Sequence, residues 1–144
     1  MLDILKAYDD FTWENFTLIG KELSNIDREN INGELAQHPV LFQQYVSLVA
    51  LSKRQLDETT TYLNLTTSRI RKDFKQSSFP KKLTAKDLDD LVFVDHEYTA
   101  AADKVTVANH KYLMVKGMVS AMEHKKDCLI QLSSNSRQET RLYS

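Results

Sequence analysis

Residues 40–76 read VLFQQYVSLVALSKRQLDETTTYLNLTTSRIRKDFKQ. Phe42, Val49, Leu56, Leu63 and Ile70 recur every seven residues, and Tyr45, Val46 and Phe74 supply much of the complementary position. An apolar repeat of seven keeps one stripe of a helix turned toward a partner helix. No glycine or proline interrupts the stretch, so the spacing predicts a single helix of roughly 55 Å at about 1.5 Å per residue. His38-Pro39 is placed to open it, because proline is well tolerated in a first helical turn. The first long helix is therefore expected over 38–76. Thr59-Thr60-Thr61 lowers helix propensity there without breaking the pattern.

Serines, Pro80 and a loss of periodicity mark 77–83 as a loop. Thr84-Ala85-Lys86-Asp87 then has the form of a capping box. Beyond it Tyr98, Val105, Tyr112 and Val119 fall seven apart, with Ala101, Ala108, Val115, Met122 and Leu129 filling the second position. This predicts a second long helix within 84–133, starting in the mid-80s or the mid-90s, and a frayed polar tail over 134–144. Two long helices on a short connection pack antiparallel as a hairpin. Each carries a further stripe (Leu41, Leu48 and Tyr62 on the first; Val107, Met114, Ala121 and Cys128 on the second) that calls for a third layer. Residues 1–33 can supply part of it. Leu5, Tyr8, Phe11, Phe16, Ile19, Leu23 and Ile26 approximate helical spacing, Asn25 to Asn30 suits a break, and Gly33 suits a stop. Trp13 reads as a core or docking anchor. The fold class expected is all-α: a coiled-coil-like antiparallel hairpin with an N-terminal helical arm, one domain over 1–144. The uncovered stripe predicts a homo-oligomer.

Composition agrees and excludes much else. Three glycines and two prolines in 144 residues are too few turn-formers for a β-rich fold. One cysteine cannot make an internal disulfide. Cys128 reads as a small buried hydrophobe in a soluble, intracellular protein. No run approaches the roughly 20 apolar residues of a membrane span, and the N-terminus lacks a secretory signal. The net charge of −1 hides a segregation. Residues 1–33 carry three cations against seven acids, residues 34–82 eight cations against four acids, and residues 83–144 eight against nine.

The basic density peaks at Ser68-Arg69-Ile70-Arg71-Lys72-Asp73-Phe74-Lys75. On a helix Arg71 and Lys75 share a face, as do Arg69 and Lys72. The result is a compact cationic knob beside an aromatic ring, suited to phosphates and an unstacked base. A solvated helix end favoured by the macrodipole would have the same composition. Other chemistry is absent. Gly20, Gly33 and Gly117 are isolated, so no phosphate-binding loop forms. His96, His110 and His124 are fourteen apart, which spreads them over about 21 Å per step and rules out one shared ion. Asp87, Asp89 and Asp90 suit a helix N-terminus. No catalytic residues, cofactor or metal site are expected, and a metal-dependent nuclease is disfavoured.

From His38 to Glu139 the order of features resembles the UvsY-type recombination mediators of tailed phages. The most specific part is Arg69-Ile70-Arg71-Lys72-Asp73-Phe74, which matches a basic-x-Arg-x-Asp-aromatic pattern. Asp95, Asp103, Tyr112, Ala121, Leu129 and Arg137-Gln138-Glu139 follow in a similar rhythm. The resemblance implies a non-enzymatic ring of six or seven subunits in the cytoplasm of an infected bacterial host. Such a ring binds single-stranded DNA and helps a RecA-like recombinase displace the single-strand-binding protein. It implies that Arg69 and Arg71 contact phosphates, supported by Lys72 and Lys75. Phe74 takes the aromatic position, stacking on a base or packing beneath the knob. Lys72 departs from the family pattern, where an apolar residue is common. The competing reading is a coiled-coil adaptor or assembly chaperone whose knob meets an acidic protein surface, such as the arm of residues 1–33.

Overall fold

A computed structural model describes residues 4–144, with only the backbone described for Leu5 and Ala7. The opening residues of the expected first helix, Leu2 and Asp3, and the Leu5 side chain lie outside the described residues. The chain forms α1 (Ile4–Asp9), α2 (Trp13–Ser24), a 3-10 turn (Arg28–Asn30), α3 (Ile31–Ser77), α4 (Ala85–Phe93) and α5 (His96–Tyr143). No strand occurs among the described residues, and none of the helices is long and apolar enough to cross a membrane. The long helix α3 pairs with α5 as a helical hairpin. Its contacts divide into two compact units, residues 1–50 with 113–144 and residues 51–112.

In the first unit α1 and α2 form the third layer that the hairpin stripes require. Ile4, Tyr8 and Phe16 bury themselves against Tyr45 and Leu48 of α3 and Val115 and Met122 of α5. Leu41, Phe42, Met114 and Met118 pack around that cluster. The entry to α2 is fixed twice. Thr12 caps it, accepting from the Asn15 N–H at 3.2 Å, and Phe11 meets Phe16 across the cap, ring centroids 5.7 Å apart. A hydrophobic pair spanning an N-cap sets the angle at which the chain enters a helix. Gly20 allows close approach to α5, since a Cβ there would stand 2.9 Å from Met118 Sδ.

Polar bonds lock the same layer. The Lys125 ammonium, 7% exposed, donates to the Leu23 carbonyl at 2.6 Å and to Glu34 at 3.2 Å. Glu34 also accepts from the Asp27 N–H. One buried cation thus joins the end of α2, the first turn of α3 and α5. His38 is buried and donates from Nε2 to the Met122 carbonyl at 2.7 Å.

These tertiary bonds explain where the sequence reading of the helix start fails. Gly33 and Pro39 lie inside α3, which begins at Ile31. Anchoring by Glu34 and His38 extends the helix backward through both residues. Pro39 sits on the exposed side, where water can satisfy the carbonyl that its missing N–H leaves over. Other expectations also give way. Trp13 is 65% exposed and is not part of the core, because the α2 face turned inward is that of Phe16 and Gly20. Cys128 is exposed, one residue before the buried Leu129. Residues 134–144 continue α5 to Tyr143 instead of fraying, though 135–144 are all exposed.

In the second unit the seam is made of small groups. Ser52, Thr66, Ala101 and Ala108 are buried, with Ile70 closing the end and Leu88 and Val92 of α4 packed in. The column complementary to Phe42–Ile70 therefore runs Tyr45, Ser52, Thr59, Thr66, and Val46 faces solvent. Side-chain hydroxyls hide that column from a hydrophobic count. Antiparallel register shows in Lys53 over the Tyr112 ring at 5.7 Å and Lys104 over Tyr62 at 5.6 Å. Here the flanking stripe stays bare, with Tyr62 53% and Val107 52% exposed.

Two measurements test the first unit. Phe16→Ala empties a fully buried aromatic site and is expected to cost about 3 kcal/mol or more, read as a lower thermal midpoint by circular dichroism; a change below about 1 kcal/mol would show that α2 is not docked. The Tyr45 hydroxyl is buried without a hydrogen-bond partner among the described residues, and burial pushes its pKa up to about 12. An unmade buried hydrogen bond costs about 1–3 kcal/mol. Tyr45→Phe should thus leave the midpoint unchanged or raise it, and a clear loss would reveal a partner for the hydroxyl.

Candidate functional site

The basic knob occupies the last turns of α3. Ile70 is buried and Phe74, four residues on, is half-buried, so this pair defines the inward face. Arg69, Arg71, Lys72 and Lys75 are exposed around it. The Ser78 N–H donates to the Phe74 carbonyl and the Lys81 N–H to the Ser78 carbonyl, which turns the chain directly after the knob. Late cations also interact favourably with the partial negative charge of a helix C-terminus.

Past this turn, the chain returns acids to the knob. Thr84 and Asp87 close a reciprocal capping box. The hydrogen bonds from Thr84 hold the Asp87 carboxyl below its ordinary pKa. The box fixes the start of α4, whose Leu88 and Val92 point inward. Asp89, next to Leu88, then reaches Arg71. The chain breaks at Val94, and Asp95 caps α5 by accepting from the Glu97 N–H at 2.8 Å. Glu97, in that first turn, pairs with Arg69. The second long helix expected over 84–133 is therefore two elements: the short α4 begins at the capping box, and the long helix α5 begins at His96.

The five residues singled out from the sequence therefore stand on one helix end in three different situations. Arg69 and Arg71 hold carboxylates, Lys72 and Lys75 have no ion pair among the described residues, and Phe74 is partly packed. Sequence reasoning missed Glu97 and Asp89, because only the hairpin register places them opposite the arginines. His96, His110 and His124 are all exposed on α5, and no group of three potential ligands gathers for a metal among the described residues.

Chemically, the knob is a screened, water-accessible cationic surface. Side chains in both ion pairs are about half exposed, and pairs of this kind contribute about 0–1 kcal/mol. Pairs this exposed contribute little to the stability of the fold. Comparison with protein-family profiles, curated protein sequences and solved structures returned no match.

The strength of these pairs can be measured directly. Asp89→Asn keeps the side-chain size and removes the charge facing Arg71. It is expected to change stability by less than about 1 kcal/mol in thermal unfolding. A loss twice that size would make the pair a structural clamp.

Proposed function

We propose that this chain is a single-stranded DNA-binding recombination mediator. In this reading it is a non-enzymatic homo-oligomer, a ring of six or seven copies. It acts in the cytoplasm of an infected bacterial host and helps load a RecA-like recombinase onto DNA coated with single-strand-binding protein. The observation that carries the reading is the exposed cationic end of α3, four cations over seven residues around a half-buried ring. The UvsY-type pattern of Arg69 to Phe74 supports it. Exposed apolar residues at Tyr62, Leu65 and Val107 support self-association. Repeating a modest cationic site around an oligomer raises affinity by effective concentration without a new kind of contact. Backbone-directed contacts also need no base-reading array, so binding is sequence-tolerant.

The ion pairs order the contacts. Lys72 and Lys75 meet a phosphate first, while Arg69 and Arg71 exchange a carboxylate for it. Guanidinium forks match carboxylate and phosphate alike, so in this reading the exchange is driven by the counterions that a strand of phosphates releases. A second reading, an adaptor or assembly chaperone that grips an acidic protein surface, draws on the same fact: the two arginines already accommodate carboxylates.

Fluorescence anisotropy of a labelled oligo-dT strand over a salt series separates the two. Wild type is expected to bind with a log–log slope of about −0.7 per phosphate neutralised. Arg69→Ala with Arg71→Ala should weaken binding and flatten the slope at unchanged helicity and oligomer size. Absence of binding at low salt would favour the adaptor. Wild-type affinity in the double variant would remove the site assignment.

A further inference from the structure

A second group of arginines, in the first unit, differs from the knob in one respect: no carboxylate holds it. A cleft of about 450 Å³ lies between the 3-10 turn and the last turns of α5, lined by Arg28, Asn30, Asn32, Ser133, Ser136 and Arg137. Arg54, Arg69 and Arg71 each form an ion pair, whereas Arg28, Arg137 and Arg141 form none among the described residues, and of these three Arg28 and Arg137 share the cleft. We propose that this cleft binds the phosphoryl group of a nucleotide-sized ligand.

The cleft is built from fixed pieces. Ser133, Ser136 and Arg137 stand at i, i+3 and i+4 and therefore share one face of α5. Arg137 Nε lies 3.4 Å from the Ser133 carbonyl and leans back on its own helix, leaving the terminal guanidinium nitrogens available. Arg28 opens the 3-10 turn, whose cap is the Asp27 side chain accepting from the Glu29 N–H at 3.0 Å. Asn30 lies directly over Gly33, where a Cβ would stand 2.4 Å from its Oδ1. Glycine at this point lets the amide lie against the first turn of α3.

Ligand class follows from the donors. Two guanidinium groups offer forked N–H pairs that match phosphate oxygens. Hydroxyls and amides beside them suit the polar edges of a sugar or base. Glu29 also lines the cleft and lowers its net pull on any anion, phosphate or carboxylate alike. The volume falls within the roughly 300–1,000 Å³ of small-molecule pockets and exceeds the need of a bare ion. A free nucleotide and one unit of a nucleic acid strand present the same phosphoryl chemistry.

Calorimetric titration of the full chain at constant ionic strength tests this with thymidine monophosphate, oligo-dT and poly-glutamate. Two variants are run beside wild type. Arg28→Gln with Arg137→Gln removes both forks, and Ser136→Asp keeps both arginines but adds a carboxylate to the cleft. Thermal midpoints of the unliganded proteins identify any variant that fails to fold. Affinity for a phosphoryl ligand is expected to fall about tenfold or more in both variants, the size of one lost charge-assisted hydrogen bond. Binding of the monophosphate identifies a free nucleotide as the source. A silent monophosphate with oligo-dT weakened in both variants identifies a strand. The proposal is overturned if both ligands bind the variants as they bind wild type, or if neither binds wild type. It is overturned equally if poly-glutamate binds wild type more tightly than either. Oligo-dT binding lost in the Arg69/Arg71 variant but kept in both cleft variants overturns this site alone and leaves the knob standing.

Discussion

Ala101, Ala108, Val115, Met122 and Leu129 form the buried column on α5 from which the other elements take their positions. Spacing at seven keeps the column facing α3 along the hairpin. What differs along it is volume. At Val115 and Met122 the side chains are large, meet Tyr45 and Leu48, and leave grooves that α1 and α2 fill. At Ala101 and Ala108 they are small and share the second unit with the buried Ser52 and Thr66. A seam of small residues gains less from apolar burial per turn than a seam of Leu and Met. The first unit thus carries the larger apolar core, and the knob stands in the unit with the leaner one.

Sequence periodicity makes much of this architecture legible. Heptads mark both long helices and their antiparallel pairing, and the capping box marks the start of α4. What periodicity cannot supply depends on tertiary bonds. Helix α3 starts at Ile31 because Glu34 and His38 are tied to α5, a fact invisible to a rule about Gly33 and Pro39. The Ser52–Thr59–Thr66 column escapes notice because hydroxyl-bearing residues at a seam look like surface. Register is ambiguous for a related reason: a heptad pattern is unchanged by a slip of seven. It is the break at Val94-Asp95, with α4 folded in before it, that sets Glu97 against Arg69. The cleft of Arg28 and Arg137 joins residues more than a hundred positions apart, and no local motif announces it.

Five of the six arginines of this chain fall into two electrostatic groups. Those of the second unit are partnered, by Glu58, Glu97 or Asp89, and exposed. Any anion arriving at such a surface would have to displace a carboxylate, so its response to salt would be set by both the departing and the arriving group. Arg28 and Arg137 have no such partner to release. Both are exposed on the rim of the cleft.

Trp13, the sole tryptophan, sits at the first position of α2 with its ring largely in water. Its emission in the folded state is therefore already that of a hydrated indole. Loss of the core around Phe16 and Met122 is expected to shift the wavelength of that emission little. The same exposure makes the indole a sentinel for α2. A blue shift on adding a macromolecule, or on raising the protein concentration, reports that something has come to rest on that helix.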